Sequence, residues 1–400
     1  MRIFGRILLL AAFVVVAGLA TRDAIAGAFA RRAPALTLQV DPYHARALAA
    51  KLDSRVTKAG TPAQLTDADL ASIRTALRRN PLVPELVRTL GVDPGLRGKD
   101  TDARALITLA SSISRREVFS QLWLIEDAVH RNKIDEALVH YDVALSVSEP
   151  IQPLLVKVLT GALSERDIRN AVAPYLAAKR PWRGTFLSFA VANGKPREVA
   201  ETLVVARVVD DPALRSLQTD LLSWFVARDD VAGAQQHALR MPGGNAARFA
   251  TMGFTPETVD PVFQPLTWLL TNNSEIEAAL DSDNRLQILA SPSQQGAAAM
   301  RVMHLPAGRY DITQRVTFTG AQPAYAQWEA HCTGARADKF WDQSIPVRSG
   351  TATQRFSLAV PARCNGVRLI LNIGAVEGQE GSSMTIDDLK VAPTGTSARD

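Results

Sequence analysis

Cysteine is nearly absent from this chain: Cys332 and Cys364 are the only two among 400 residues. Neither has a second Cys or a His pair beside it at ligand spacing, which excludes the usual zinc sites. Histidine is sparse too. His44, His130, His140, His237, His304 and His331 are scattered, and even His130 and His140, on neighbouring predicted helices, lack an accompanying carboxylate pattern. There is no Gly-x-Ser-x-Gly elbow, no His-Glu-x-x-His, no phosphate-binding P-loop and no dinucleotide glycine fingerprint. Enzymes built on those motifs have no carrier here. The chain therefore reads as a non-enzyme without cofactor or metal. The acidic pairs Asp281-x-Asp283 and Asp387-Asp388 stand in turn and strand-end contexts, where solvation is expected, with calcium the alternative for the second pair.

Charge of either sign is missing from Ile7 to Ala20, fourteen residues that follow Arg2 and Arg6. That length suits the apolar core of a signal peptide. Ala24-Ile25-Ala26 and Ala28-Phe29-Ala30 offer small-x-small cleavage sites. If Arg6 snorkels, Ile3 to Ala20 is long enough for a tilted membrane anchor. Both readings of residues 1–26 send the remainder of the chain out of the cytoplasm, because the two arginines hold the N-terminus inside. The expected location is the periplasm, either anchored to the inner membrane or free. An exported chain with two cysteines is expected to join them, closing a loop worth roughly 3–4 kcal/mol in the chain-entropy model. The alternative is two buried thiols.

The net charge is +5, but residues from Asp260 onward carry 12 basic and 14 acidic side chains, so the surplus of +7 lies in the first 259. Part of it flanks the apolar segment at Arg2, Arg6, Arg31 and Arg32. A nucleic-acid partner is not expected in that compartment.

From 34 to 240 the apolar period is helical. Val118, Leu122, Ile125 and Val129 form one stripe, Ile134, Leu138, Tyr141 and Leu145 a second, and Leu214, Leu217, Leu221 and Trp224 a third. Thr66-Asp67-Ala68-Asp69 and Ser164-Glu165-Arg166-Asp167 have the form of capping boxes. Asn80-Pro81, Asn193-Gly194 and Asp211-Pro212 separate the segments. This is an antiparallel helical array, with Pro181-Trp182-Arg183-Gly184-Thr185-Phe186 supplying aromatic packing. Residues 118 to 150 resemble a tetratricopeptide repeat: Ala137-x3-Tyr141-x2-Ala144 has the spacing of its second helix, and Pro150 closes the unit. Glu126 stands where a small residue is usual and the proline comes one residue late. The resemblance implies protein binding on a stacked-helix surface, with envelope proteins as partners. A helical spacer is the structural alternative.

Residues 241–261 are rich in Gly and Pro and read as a linker. From 262 to 392 the runs become short and β-branched: 286–290, 298–305, 308–318, 325–332, 354–360, 367–373 and 384–391 read as strands. Such a series implies an antiparallel sandwich or jelly roll. Residues 393–400 read as a tail without structure. The fold class is thus multidomain α + β: an N-terminal signal or anchor helix, a helical repeat-like array and a C-terminal β-sandwich.

Leu305-Pro306-Ala307-Gly308-Arg309-Tyr310-Asp311-Ile312 and the final strand Met384 to Val391 resemble the galactose-binding-like jelly rolls used as carbohydrate-binding modules. That resemblance implies a glycan ligand. Sugar rings are met by aromatic faces and polar forks. The candidates are Tyr325, Phe340, Trp341 and Asp342, with His331, Asp338 and Arg348 as further polar partners. Phe340-Trp341-Asp342 is expected in an exposed loop, whereas Trp328, in step with Cys332, is expected in the core. The two-part layout is similar to helical-repeat proteins that accompany envelope or exopolysaccharide assembly. A glycan-active enzyme and a purely structural membrane stalk are the alternatives.

Overall fold

The computed structural model describes residues 2–30, 32–59, 64–320, 322–334, 338–376 and 381–394; for 2–12, 14, 15, 19, 56–59 and 320 it describes the backbone alone. Two compact units result, Met1–Leu155 with Arg180–Trp182, and Val156–Lys179 with Arg183–Asp400.

The first unit is helical: α1 (Arg2–Phe29), α2 (Pro34–Val40), α3 (Ala45–Ala59), α4 (Asp67–Arg79), α5 (Pro84–Leu96), α6 (Asp100–Ile113), α7 (Val118–His130) and α8 (Ile134–Val147). The side chains of 2–12, on which the signal-or-anchor reading largely rests, lie outside the described residues. Among the described residues no single helix is long and apolar enough to cross a membrane. At α4 the expected capping box forms, with Thr66 Oγ1 accepting from the Asp69 amide and the Asp69 carboxylate accepting from the Thr66 amide. Leu48 and Leu52 of α3, Ile73 and Ala76 of α4, and Leu86 of α5 close one core.

In the α7–α8 hairpin Ala128, Ala137, Tyr141 and Ala144 are buried. The stripe expected on α7 is rotated. Gln121, Leu124, Ile125 and Ala128 face inward and Val129 is exposed. A charge network explains the turn: Asp127 accepts from Arg104 of α6 and from Arg131, and Arg131 also reaches Glu136. These bonds draw Asp127 into the packed face.

In the second unit α9 (Gln152–Ala162), which begins in the first unit, is followed by α10 (Arg166–Ala177), α11 (Arg183–Asn193), α12 (Pro196–Val205), α13 (Arg215–Ala227), α14 (Val231–Ala238) and α15 (Ala246–Ala250). The capping box expected at Ser164 does not form. Its hydroxyl donates back to the Gly161 carbonyl (3.3 Å), and Glu165 takes the cap position without a side-chain bond.

Among the described residues ten strands follow: β1 (Leu269–Leu270), β2 (Ile276–Leu280), β3 (Leu286–Ala290), β4 (Gln295–Met303), β5 (Gly308–Gly320), β6 (Tyr325–Cys332), β7 (Lys339–Ser344), β8 (Gly350–Val360), β9 (Val367–Gly374) and β10 (Ser382–Pro393). They form two antiparallel five-stranded sheets, ordered β1-β4-β9-β6-β7 and β2-β3-β10-β5-β8. The seven strands expected from alternation are present, joined by the short β1, β2 and β7. Trp328 is 0% exposed, its ring 6.0 Å from Trp268 and its indole N–H donated to Gln314 Oε1. Cys332 and Cys364 are bonded.

Residues 241–261, expected as a linker, carry α15 and put Met252 and Phe254 into the sandwich core. Arg301 on β4, 1% exposed, holds this segment by donating to the carbonyls of Arg248, Phe249, Thr251 and Leu266. These acceptors are uncharged, so burial pushes its pKa down to about 10. Of the expected tail, 393 and 394 are described and the remainder lies outside the described residues.

Candidate functional site

Strand β6 alternates without a fault. Ala326, Trp328, Ala330 and Cys332 point into the sandwich, which turns Tyr325, Gln327, Glu329 and His331 to the outer face of the first sheet, each half-buried. Directly opposed residues of antiparallel strands share a face. On that rule β9 contributes Gly374 opposite Tyr325, Asn372 opposite Gln327, Ile370 opposite Glu329 and Arg368 opposite His331. From the other side β7 adds Ser344, Asp342 and Lys339, opposite Gln327, Glu329 and His331.

The outer side chains are tied together. Gln327 Nε2 donates to Glu329 Oε1 (2.7 Å), His331 Nε2 lies 3.0 Å from Glu329 Oε2, and Lys339 Nζ stands 3.5 Å from Glu329 and 3.7 Å from Asp342. Burial works to raise the Glu329 carboxyl, but the His331 bond and the Lys339 charge hold it below its ordinary value. Glu329 is therefore an ionised hub whose neighbours are fixed. Tyr325, at the end of the row, lies against the Gly374 backbone, where any Cβ would collide with the ring.

Of the four candidates from the sequence, Tyr325 and Asp342 lie on this face. Phe340 and Trp341 do not sit in a loop. They belong to edge strand β7, where regular pairing puts Trp341 opposite the inward Ala330 and a register irregularity just beyond leaves Phe340 unpaired. Both pack against the sandwich core, and Trp341 Nε1 donates to the Ser357 carbonyl of β8 (2.9 Å), closing the gap between the two sheet edges. His331 is on the outer face, while Asp338 and Arg348 are exposed in the segments flanking β7. Gln327, Glu329, Arg368 and Asn372 were missed. The alternation of β6 was a sufficient signal for the first two; nothing local to the sequence marks the others.

A concavity of about 680 Å³ lies elsewhere, beside the β10 irregularity, bounded by Thr251, Gly253, Arg285, Arg315, Asp388 and Lys390. Its charges largely satisfy one another: Arg285 pairs with Asp281 and Asp283, and Arg315 with Asp387 and Asp388. Asp387 and Asp388 are thus ion-paired. Among the described residues no group of three or more His, Cys, Asp or Glu side chains is arranged to hold a metal.

No protein-family model matches this chain, and no curated protein matches it in sequence. The sandwich is similar to solved carbohydrate-binding modules. One is a family 16 module, 11% identical, covering 36% of this chain and 99% of that one, with a TM-score of 0.26. Another is the family 11 module of a cellulosomal cellulase of Clostridium thermocellum, 12% identical, covering 32% and 86%, with a TM-score of 0.23. Accessory secretory proteins 1, 2 and 3 of Streptococcus pneumoniae match at 10%, covering 31% and 88%, with a TM-score of 0.23. At these values the likeness says nothing about a ligand.

Proposed function

We propose that this chain is a non-enzymatic accessory protein of the cell envelope whose sandwich binds a glycan on the outer face of its first sheet. One observation carries the reading: Gln327 and His331 of β6 and Lys339 of β7 are already tied to one another through Glu329, beside Asn372 and Arg368 of β9, with the Tyr325 ring at the end of the strand. Sugars are bound by such pairings of an aromatic surface with fixed hydrogen-bonding groups, because pre-ordered side chains lose little entropy on binding. From Tyr325 to His331 the strand rises roughly 20 Å, room for several sugar units in a line.

The remaining parts of the proposal rest on the sequence. Arg2, Arg6 and the uncharged run to Ala20 support export to the periplasm, tethered or free, and the disulfide suits an oxidising compartment. The helical hairpins support a partner-binding role like that of tetratricopeptide repeats. Phe119, 65% exposed on α7, and Val139 on α8 are apolar groups left for a protein contact. A place in exopolysaccharide assembly joins the two roles.

The test is affinity electrophoresis of the full chain through gels holding neutral and acidic bacterial polysaccharides. Retardation on at least one, weakened roughly ten-fold by Tyr325→Ala, is expected. A wild-type chain that migrates freely through all of them rejects the glycan reading.

A further inference from the structure

The proposed glycan face is not evenly charged along its length. The register of β7, β6 and β9 brings Lys339, His331 and Arg368 into one row, side by side across three strands. Two of these have anionic partners: Lys339 with Glu329 and Asp342, and His331 with Glu329. Arg368 has none. Its Nε is sealed from solvent without a hydrogen-bond partner, and no carboxylate among the described residues pairs with its guanidinium. That atom stays beyond a ligand's reach, and the terminal Nη groups, which are not sealed in this way, are the ones an anion would meet. Arg368 also stands next to Val302 of β4, itself buried and bonded through its amide to the Pro265 carbonyl. The row is therefore bounded on one side by Val302 and held on the other by the Glu329 hub.

We infer that this end of the face reads a carboxylate on the glycan, so that the ligand is an acidic polysaccharide of the polyuronate class. The inference rests on the glycan reading and specifies it. A guanidinium presents a planar fork that matches the two oxygens of a carboxylate, and such pairing is stronger than a neutral hydrogen bond. Glu329 and Asp342 bear on selectivity as well. They pair with Lys339 and His331, so Arg368 is left as the cation available to a ligand. Further along the face, past the Glu329 hub, Gln327, Asn372 and Tyr325 are uncharged and suited to hydroxyls and ring faces. An anion-binding end followed by a neutral stretch fits a carboxylate-bearing polymer better than a densely sulfated one.

The experiment titrates the full chain, at fixed moderate ionic strength, with alginate, with alginate whose carboxyls have been reduced to alcohols, and with dextran sulfate. Alginate is expected to bind at least ten-fold more tightly than its reduced form. Arg368→Gln should bring alginate affinity down to that of the reduced polymer with little change in melting temperature. Arg368→Lys, which keeps the charge but not the fork, should recover only part of the loss. Equal binding of alginate and its reduced form overturns the inference while leaving the glycan reading standing. Failure to bind any of the three, with other polysaccharides bound, also overturns it. So does tighter binding to dextran sulfate that survives Arg368→Gln, which signals attraction to anions in general. Binding of no polysaccharide at all rejects the glycan reading itself.

Discussion

Asn365 donates from Nδ2 to Asp229 Oδ2 at 2.7 Å, joining the sandwich to the turn between α13 and α14 across 136 positions of sequence. Thr333 Oγ1 donates to the other carboxylate oxygen at 2.5 Å. Each donor directly follows one half of the Cys332–Cys364 disulfide, so the covalent bond holds both loops in register beneath Asp229. Asp229 itself has a left-handed backbone, φ 61°. Beside it, Gly366 approaches so closely that a Cβ there would collide with Val231.

Asp229→Ala should therefore destabilise the second unit by roughly 2–4 kcal/mol, because two donors to a carboxylate lose their acceptor. Asp229→Asn keeps the left-handed turn and should retain part of that. Urea unfolding together with hydrogen exchange at 228–231 and 332–334 measures both. An Ala variant as stable as wild type, with unchanged exchange in the turn, rejects this account of the junction.

Alkylation of the unreduced, folded protein should add no alkyl groups by intact mass, since both cysteines are bonded. Replacing both with Ser should lower stability by about 3–4 kcal/mol, the chain-entropy value for a loop of this length. Hydrogen exchange should then rise first at the ends of β6 and β9 and in the α13–α14 turn. Two adducts on folded, oxidised material would contradict the bond.

His237 on α14 is 2% exposed, lies 6.3 Å from the Phe225 ring, and has no hydrogen-bond partner at either ring nitrogen. Burial, assisted by the Arg240 charge, lowers its pKa from the ordinary 6.5 to about 4. Between those values the unfolded chain takes up a proton that the folded chain refuses. The stability present above pH 6.5 is thus lost as pH falls, by up to roughly 3 kcal/mol, levelling off below about 4. His237→Phe should flatten this part of the pH profile in urea melts at pH 7.5, 5.5 and 4.5. An unchanged slope in the variant assigns the acid sensitivity elsewhere.

Trp341→Ala should cost roughly 2 kcal/mol, since a half-buried ring and a bond to the Ser357 carbonyl are lost. Trp328→Ala, which empties the centre of the core, should cost ~3–5 kcal/mol. Thermal melts of the two variants order them. A Trp341→Ala protein that melts with wild type would mean that the ring does not seal the edge between β7 and β8.

Much of this architecture was legible in the sequence because it depends on local periods. The change from a helical period to alternation separates the array from the sandwich, and β6 shows its two faces residue by residue. The Thr66–Asp69 box and the buried Leu138, Tyr141 and Leu145 of α8 follow from spacings of three and four. Other features had no local sign. The β6–β7 register turned Trp341 inward, opposite Ala330, and one irregularity beyond it left Phe340 unpaired. Arg131, bonding to Asp127, helped rotate the buried stripe of α7. Arg368 meets His331 only because two strands 37 positions apart pair in one register and no other. Spacing along the chain dictates which side a residue takes within its own element. Which residue it faces on the next strand depends on the pairing of distant segments, which only packing of the whole sandwich determines.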